Sequence, residues 1–313
     1  MYSPIAVIDI GSNSVRLVIY QQLDNKSFQL IEEHKFKVRI GEGAYLKNGY
    51  LQKDSIERAY NALKAFSTTI QNYPISKIIT IATSALRDAP NSKEFTNLIK
   101  KELNLEIEII DGKEEAYLGA LAAQTLLPIN NAISIDIGGG SSDIALIQNS
   151  KIIDTYSLNL GTVRLKELFH NKNILDTEVQ THIQYELKKL PSSFMAHTAI
   201  GIGGTARTLS KAIMRFTGNK SHTIHNYTYK RHNFQEFFNT IIKADNSLLN
   251  ELKISKNRID TIREGTLIWQ SILNQLQTKE VISSAVGLRE GAFLKAVNFI
   301  GYNDPIKFIN LKD

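Results

Sequence analysis

Ile8-Asp9-Ile10-Gly11-Ser12-Asn13-Ser14, near the start of this 313-residue chain, returns as Ile135-Asp136-Ile137-Gly138-Gly139-Gly140-Ser141. In each copy an apolar run ends in Asp, small residues turn the chain, and a second apolar run follows. The pattern predicts two β-hairpins, with strands over 5–10 and 15–20, then 132–137 and 144–148. Glycine tolerates positive φ and close backbone approach, so successive amides of such a turn converge on an anion, while the strand-end Asp can hold a metal ion or its water. One such hairpin is an ordinary turn. Two predict a site that faces a phosphate chain from both sides, with Gly11, Ser12, Asn13 and Ser14 opposite Gly138, Gly139, Gly140 and Ser141. A third apolar run ends in Gly203-Gly204-Thr205 before a helical stretch over 206–216, which adds these three residues to the phosphate-binding set.

Composition sets the chemistry available. The chain has no cysteine, which excludes disulfides, zinc–thiolate sites and thiol catalysis. Phosphate chemistry must then rest on carboxylates, Arg or Lys, backbone amides and a hard cation. No apolar run has the length of a membrane span, and Met1-Tyr2-Ser3-Pro4 leads directly into a strand, so a cytoplasmic protein without a membrane partner is expected. Net charge is +6, unevenly placed: residues 187–235 contain no Asp or Glu and carry +8, leaving −2 for the remainder. Within that stretch Arg207, Lys211 and Arg215 recur every four residues, on or near one helix face, and read either as a polyanion track or as a solvated basic face. His222, His225 and His232 lack carboxylate neighbours in sequence and read as neutral hydrogen-bonding groups, not metal ligands.

Hydrophobic periodicity predicts an alternating α/β chain. Strands are expected over 28–34, 36–40, 77–82 and 106–110, with helices over 53–72, 92–103 and 112–126. After residue 157 the pattern is mainly helical, over 162–170, 177–190, 207–217, 234–244 and 260–276. Trp269, Ile272, Leu273 and Leu276 are spaced as core residues. Pro128 marks the boundary between two lobes.

Four further segments narrow this reading: Ala82-Thr83-Ser84-Ala85-Leu86-Arg87-Asp88-Ala89, Ile110-Asp111-Gly112-Lys113-Glu114-Glu115-Ala116, the Asp136–Ser141 loop, and Gly287-Leu288-Arg289-Glu290-Gly291. The chain resembles the exopolyphosphatase / guanosine pentaphosphate phosphohydrolase (Ppx/GppA) family of the actin-like ATPase superfamily, from about Ala6 to Gly291 and in the expected order. The resemblance implies an α/β fold of two actin-like (ribonuclease H-like) domains around an interdomain cleft. Domain I would comprise 1–127 plus about 298–313, its last helix crossing back from near Asn298, and domain II 128–297. It also implies metal-dependent hydrolysis of a terminal phosphoanhydride. Inorganic polyphosphate is the expected substrate and guanosine pentaphosphate (pppGpp) the alternative; no specific nucleic acid is expected, and a homodimer is left open. Longer relatives carry a helical C-terminal region that these residues lack, which argues against processive handling of very long chains. An actin-like ATP-binding kinase or chaperone, or a non-catalytic alarmone or polyphosphate sensor, are the readings from other classes.

Within this resemblance, Asp111 is the expected N-cap of a helix and Glu114 the residue reaching back to it. Glu115, about 100° further round, is the expected catalytic base, its bland alternative being favourable charge in a first helical turn. Arg87 is the expected phosphate-facing guanidinium, the alternative being a salt bridge to Asp88 or Asp111. Asp136 and Asp143 flank one hairpin mouth and are expected to share Mg²⁺ or another divalent cation, with Asp9 contributing from the other lobe. The family loop usually continues Gly-Gly-Gly-Ser-Thr-Glu. This chain has Ser142-Asp143, whose shorter side chain calls for an intervening water.

Overall fold

The computed structural model describes residues 2–46, 48–221, 223–299 and 306–309. The strands are β1 (Ile5–Ile10), β2 (Val15–Gln22), β3 (Ser27–Phe36), β4 (Lys77–Ala82), β5 (Ile107–Ile109), β6 (Ala132–Ile137), β7 (Ser142–Gln148), β8 (Lys151–Leu158), β9 (Thr198–Ile202), β10 (Thr228–Lys230), β11 (Glu280–Ser283) and β12 (Lys307–Ile309). The helices are α1 (Lys53–Ile70), α2 (Ser84–Asp88), α3 (Ser92–Leu103), α4 (Gly112–Leu126), α5 (Thr162–Leu168), α6 (Thr177–Leu187), α7 (Gly203–Phe216), α8 (Gln235–Lys243), α9 (Asn246–Glu251), α10 (Ile262–Gln275) and α11 (Leu288–Ala296).

The sequence repeat is a repeat of topology. One sheet has the order β12-β3-β2-β1-β4-β5 and the other β10-β11-β9-β6-β7-β8. In each, an antiparallel three-stranded meander is extended by two parallel strands, β1·β4·β5 in the first and β6·β9·β11 in the second. Even the irregularity recurs, at Ile19/Tyr20 and at Leu146/Ile147. This is the actin-like two-domain arrangement.

Strand period two explains how each sheet buries both faces. Ala6, Ile8 and Ile10 of β1 join Leu63 and Phe66 of α1 and Phe95 of α3, while Ile5 and Val7 join Leu118 and Leu121 of α4 and Phe293 of α11. In the second sheet Ile133, Ile135 and Ile137 face the large core that holds Trp269, while Ala132 faces α4. Helices α4 and α11 therefore form a layer between the sheets. They cross closely because Gly291 has no side chain: a Cβ there would lie 1.9 Å from the Leu118 carbonyl oxygen.

Several expected elements differ. β3 ends at Phe36, and no strand covers 36–40; the chain leaves the sheet to reach the other lobe, where Lys37 and Arg39 pair with Asp260 at 3.0 and 2.5 Å. Nearby, the Gly43 and Tyr45 amides donate to Glu167, and Asp88 pairs with Arg164. Helix α11, ending at Ala296, packs on the first sheet, and the expected helix from about Asn298 falls mostly outside the described residues. Residues 300–305 and 310–313 lie outside the described set, and the described segment between them is β12, parallel to β3. His222 also lies outside it.

Candidate active site

Both strand-end aspartates point into the layer between the sheets. Asp9 has the parity of Ile5 and Val7, and Asp136 that of Ala132, so each follows the α4-facing side of its strand. Directly opposite Asp9 across the first hairpin is Arg16; directly opposite Asp136 across the second is Asp143. Together with the starts of α4, α7 and α11 these residues line a cleft of about 130 Å³. Its charged lining comprises four carboxylates, Asp9, Glu115, Asp136 and Asp143, and four guanidiniums, Arg16, Arg207, Arg258 and Arg289.

The two turns close identically, Gly11 N–H donating to Ser14 O (3.1 Å) and Gly138 N–H to Ser141 O (2.9 Å). Those two amides are therefore engaged within their own turns. Gly11 to Ser14, Gly138, Gly139 and Ser141 all line the cleft, whereas Gly140 is not among the lining residues. A Cβ on Gly140 would meet the Tyr45 hydroxyl and Ser84 Oγ, so this glycine is a contact between lobes. Ser12 Oγ is bonded to Ser84 Oγ at 3.0 Å, and a Cβ on Gly139 would press on Ser12. α7 begins at Gly203 itself, placing Gly203 and Gly204 in the cleft at the positive pole of a 14-residue helix. Gly203 has φ +75°, and a Cβ there would overlap the Asp136 carboxylate. Thr205 is buried behind the lining, its hydroxyl donating to Ile137 O at 3.3 Å.

Asp111 caps α4 through the Glu114 amide at 2.8 Å, as expected. The Glu114 carboxylate does not reach back; it pairs with Lys295 at 2.6 Å. Glu115 faces the cleft and accepts from Arg87 Nη1 at 3.0 Å, while the same nitrogen donates to Ile110 O at 3.1 Å. Arg87 therefore pairs with neither Asp88 nor Asp111 and stands behind Glu115, outside the cleft lining. Burial pushes the Glu115 carboxyl well above its ordinary range, the Asp143 charge adds to this, and Arg87 opposes it.

Asp143 is 4% exposed and accepts from Ser157 Oγ at 2.5 Å and Ser141 Oγ at 3.0 Å. Burial nevertheless raises it to about 7, the two serines opposing and Asp136 reinforcing the shift. Asp136 is raised too, chiefly by burial, against the pull of Arg207. Asp9 instead accepts from Arg289 at 3.3 Å. Among the described residues no three His, Asp or Glu side chains cluster as a ready metal cage. The Asp136/Asp143 pair still fits a hard cation: two facing carboxylates, both raised chiefly by burial, with phosphate oxygens and water to complete the shell.

Of the three basic residues spaced along α7, Arg207 alone lines the cleft. It donates to Gly203 O (3.1 Å) and Ala285 O (3.2 Å). Arg215 is exposed and bonds Lys253 O at 2.6 Å; neither it nor Lys211 reaches the cleft lining. The other cleft cations come from elsewhere. Arg289 lies in the Gly287–Gly291 segment singled out by sequence, and its position between two glycines was the available signal. Arg16 is legible by counting back across the hairpin from Asp9. Arg258 stands before α10 in a stretch without any motif. Burial and mutual repulsion push the Arg16, Arg207 and Arg258 guanidiniums down, while Glu290 and Asp9 push Arg289 up, so an incoming anion would relieve repulsion among the first three.

No described helix is long and apolar enough to cross a membrane. A family model described as the Ppx/GppA phosphatase family matches residues 18–298. A bifunctional 3-dehydroquinate synthase/phosphatase of Fusobacterium nucleatum is 30% identical, covering 93% of this chain and 46% of that protein. A guanosine-5'-triphosphate,3'-diphosphate pyrophosphatase of Pseudoalteromonas atlantica is 28% identical, covering 96% and 59%. A Haemophilus influenzae protein named as a candidate exopolyphosphatase is 26% identical over 92% of this chain and 89% of its own length. The chain thus spans about half the length of the first two. Among solved structures, the Aquifex aeolicus Ppx/GppA family member is 28% identical with a TM-score of 0.79, covering 95% of this chain and 98% of that one. An exopolyphosphatase from Cytophaga hutchinsonii shares the fold, with a TM-score of 0.85 at 22% identity over 96% and 100% of the two chains. With its duplicated hairpins, its carboxylate- and arginine-lined cleft and a family match over most of its length, this chain belongs to the Ppx/GppA phosphatase family.

Proposed function

We propose that this chain is a divalent-cation-dependent exopolyphosphatase that hydrolyses the terminal phosphoanhydride of inorganic polyphosphate and releases orthophosphate. The observation that carries this reading is the cleft lining: four guanidiniums face four carboxylates, and no aromatic ring is among the described lining residues. Such a surface matches phosphate groups and offers no stacking face for a base. The terminal phosphate would sit between the 12–14 and 139–141 turns and the start of α7. Arg207, Arg258, Arg16 and Arg289 then balance its charge.

Glu115 takes the proton of the attacking water, the new P–O bond forms in line with the breaking bridging P–O bond, and the shortened chain departs as the leaving group. Its raised pKa keeps this carboxyl a stronger base, once ionised, than an exposed glutamate. Arg87 holds Glu115 in place through the 3.0 Å contact. Asp136 and Asp143 would hold Mg²⁺ or a similar cation, with Asp9 steering Arg289 from the other lobe. The ion supplies charge neutralisation and orientation of phosphate oxygens. The same reading sets the chain in the cytoplasm, in keeping with a composition free of cysteine.

Guanosine pentaphosphate is the second reading, favoured by the 28% identity to a protein named as a pyrophosphatase of that nucleotide. Purified protein with Mg²⁺ should release phosphate fastest from polyphosphate, more slowly from pppGpp, and least from ATP. Faster release from pppGpp reverses the order of the two readings, and release from none of them removes both.

A further inference from the structure

The chain passes between the sheets twice, from α4 into β6 over 127–131 and from β11 into α11 over 284–287. The His225 side chain joins the second passage to the end of α4, where the first begins. His225, in the loop between α7 and β10, accepts the Ala285 amide on Nδ1 at 3.3 Å, while its Nε2 lies 3.1 Å from the Leu126 carbonyl oxygen. A ring that accepts on Nδ1 carries its proton on Nε2, so Nε2 donates to Leu126. The Ala285 backbone is thereby held at its N–H, one peptide unit before its own carbonyl. Its carbonyl oxygen receives Arg207 Nη1 at 3.2 Å, and Arg207 lines the phosphate cleft. Ala285 and Ile224, the residue before His225, pack in one small buried cluster with Met214 of α7, which keeps the ring against the crossing.

We infer that His225 is a positioning residue for the phosphate cleft: it fixes the Ala285 backbone at the second crossing, and through the next peptide unit the Arg207 guanidinium, while tying this crossing to the end of α4. The chain His225–Ala285–Arg207 runs from the second crossing to the cleft through two hydrogen bonds. A misplaced guanidinium lowers turnover through lost orientation, without removing any group that touches substrate. The geometry stands independently of the proposed phosphatase activity, but the kinetic readout rests on that reading.

The two ring nitrogens allow the test to separate positioning from bulk stability. In His225→Asn the side-chain oxygen takes the place of Nδ1 and keeps an acceptor for the Ala285 amide, losing the Leu126 contact. In His225→Gln the longer side chain keeps a donor towards Leu126 and leaves the Ala285 amide without its acceptor. Each variant gives up one neutral hydrogen bond, so melting temperatures should fall comparably. Turnover should not: we expect His225→Asn within about twofold of the parent and His225→Gln lower on the order of tenfold. In an Arg207→Gln background the His225→Gln change should add nothing, because the guanidinium it positions is gone. Equal turnover of the Asn and Gln variants, or an undiminished effect in the Arg207→Gln background, overturns the inference. Calorimetric binding of tripolyphosphate to the same variants decides the matter even if the parent hydrolyses nothing. In that event the phosphatase reading fails, while a weaker affinity confined to His225→Gln still supports the positioning role and equal affinities refute it.

Discussion

The two hairpins share a backbone, a closing hydrogen bond and a strand-end aspartate, yet the residue across the strand is a cation in one and an acid in the other. Asp9 faces Arg16 and accepts from Arg289, so its charge is answered by the protein. Asp136 faces Asp143, and burial raises both above the ordinary carboxylate range, with Asp136 adding to the shift of Asp143 and Asp9 to that of Asp136. One hairpin is electrostatically complete and the other is not. Under the proposed function only the second would take an external cation, and one residue per hairpin makes that difference while the fold stays the same.

The sharpest way to break this comparison is to neutralise each aspartate. Asp136→Asn should lower turnover by a factor on the order of 10⁴, the several kcal/mol that a bound cation contributes to phosphoryl-group chemistry. Asp9→Asn should lower it only about tenfold, by releasing Arg289. Equal losses measured in steady-state kinetics would mean that the hairpins share one role. Glu115 stands beside the second hairpin, and Glu115→Gln should reduce turnover on the order of 10³-fold with substrate affinity retained. Arg207→Gln follows, at roughly 10²-fold and equally for short and long polyphosphate, since this guanidinium lies in the cleft. Arg215→Gln, outside the cleft, should change neither. A loss confined to long chains in either variant would restore a track along α7.

Acid titration sharpens the same contrast. The folded-state pKa of Asp143, about 7, lies above the unfolded value. The proton is thus held more tightly by the folded chain, and the associated stability is fully present below the unfolded value, about 3.9, and lost as pH rises through about 7. In divalent-free buffer the melting temperature should decline across that window; Asp143→Asn should flatten the decline, and added Mg²⁺ should oppose it. A melting curve independent of pH and of Mg²⁺ would remove the incomplete charge pair from the account. The smallest effect belongs to Glu114→Gln, which breaks a half-exposed pair with Lys295 and should cost less than about 1 kcal/mol in chemical denaturation, with turnover unchanged.

Glu114 and Glu115 show how far local reading carried. Helix period and the Asp111 cap placed the two carboxylates on different faces, and only Glu115 reaches the cleft. What Glu114 touches was not legible, because Lys295 comes from α11, which packs on α4 only in the folded chain. Arg87 illustrates the same limit: its strand-end position was clear, but contact with Glu115 rather than with the cleft depends on how α2 and α4 meet.

By itself the sequence determined the duplicated hairpins, the glycine turn at the start of α7 and the α4 cap, because each rests on backbone preferences and side-chain spacing within a few residues, and its ordered motifs carried the resemblance to a phosphatase family. The tertiary structure alone decided that Arg258 joins Arg16, Arg207 and Arg289 around one cleft, that Lys211 and Arg215 stay outside it, that Gly140 seals the lobes together, and that His225 ties the second crossing to the end of α4. These depend on contacts between segments far apart in the chain, where burial and opposing charges select the partner and local pattern carries no information about it.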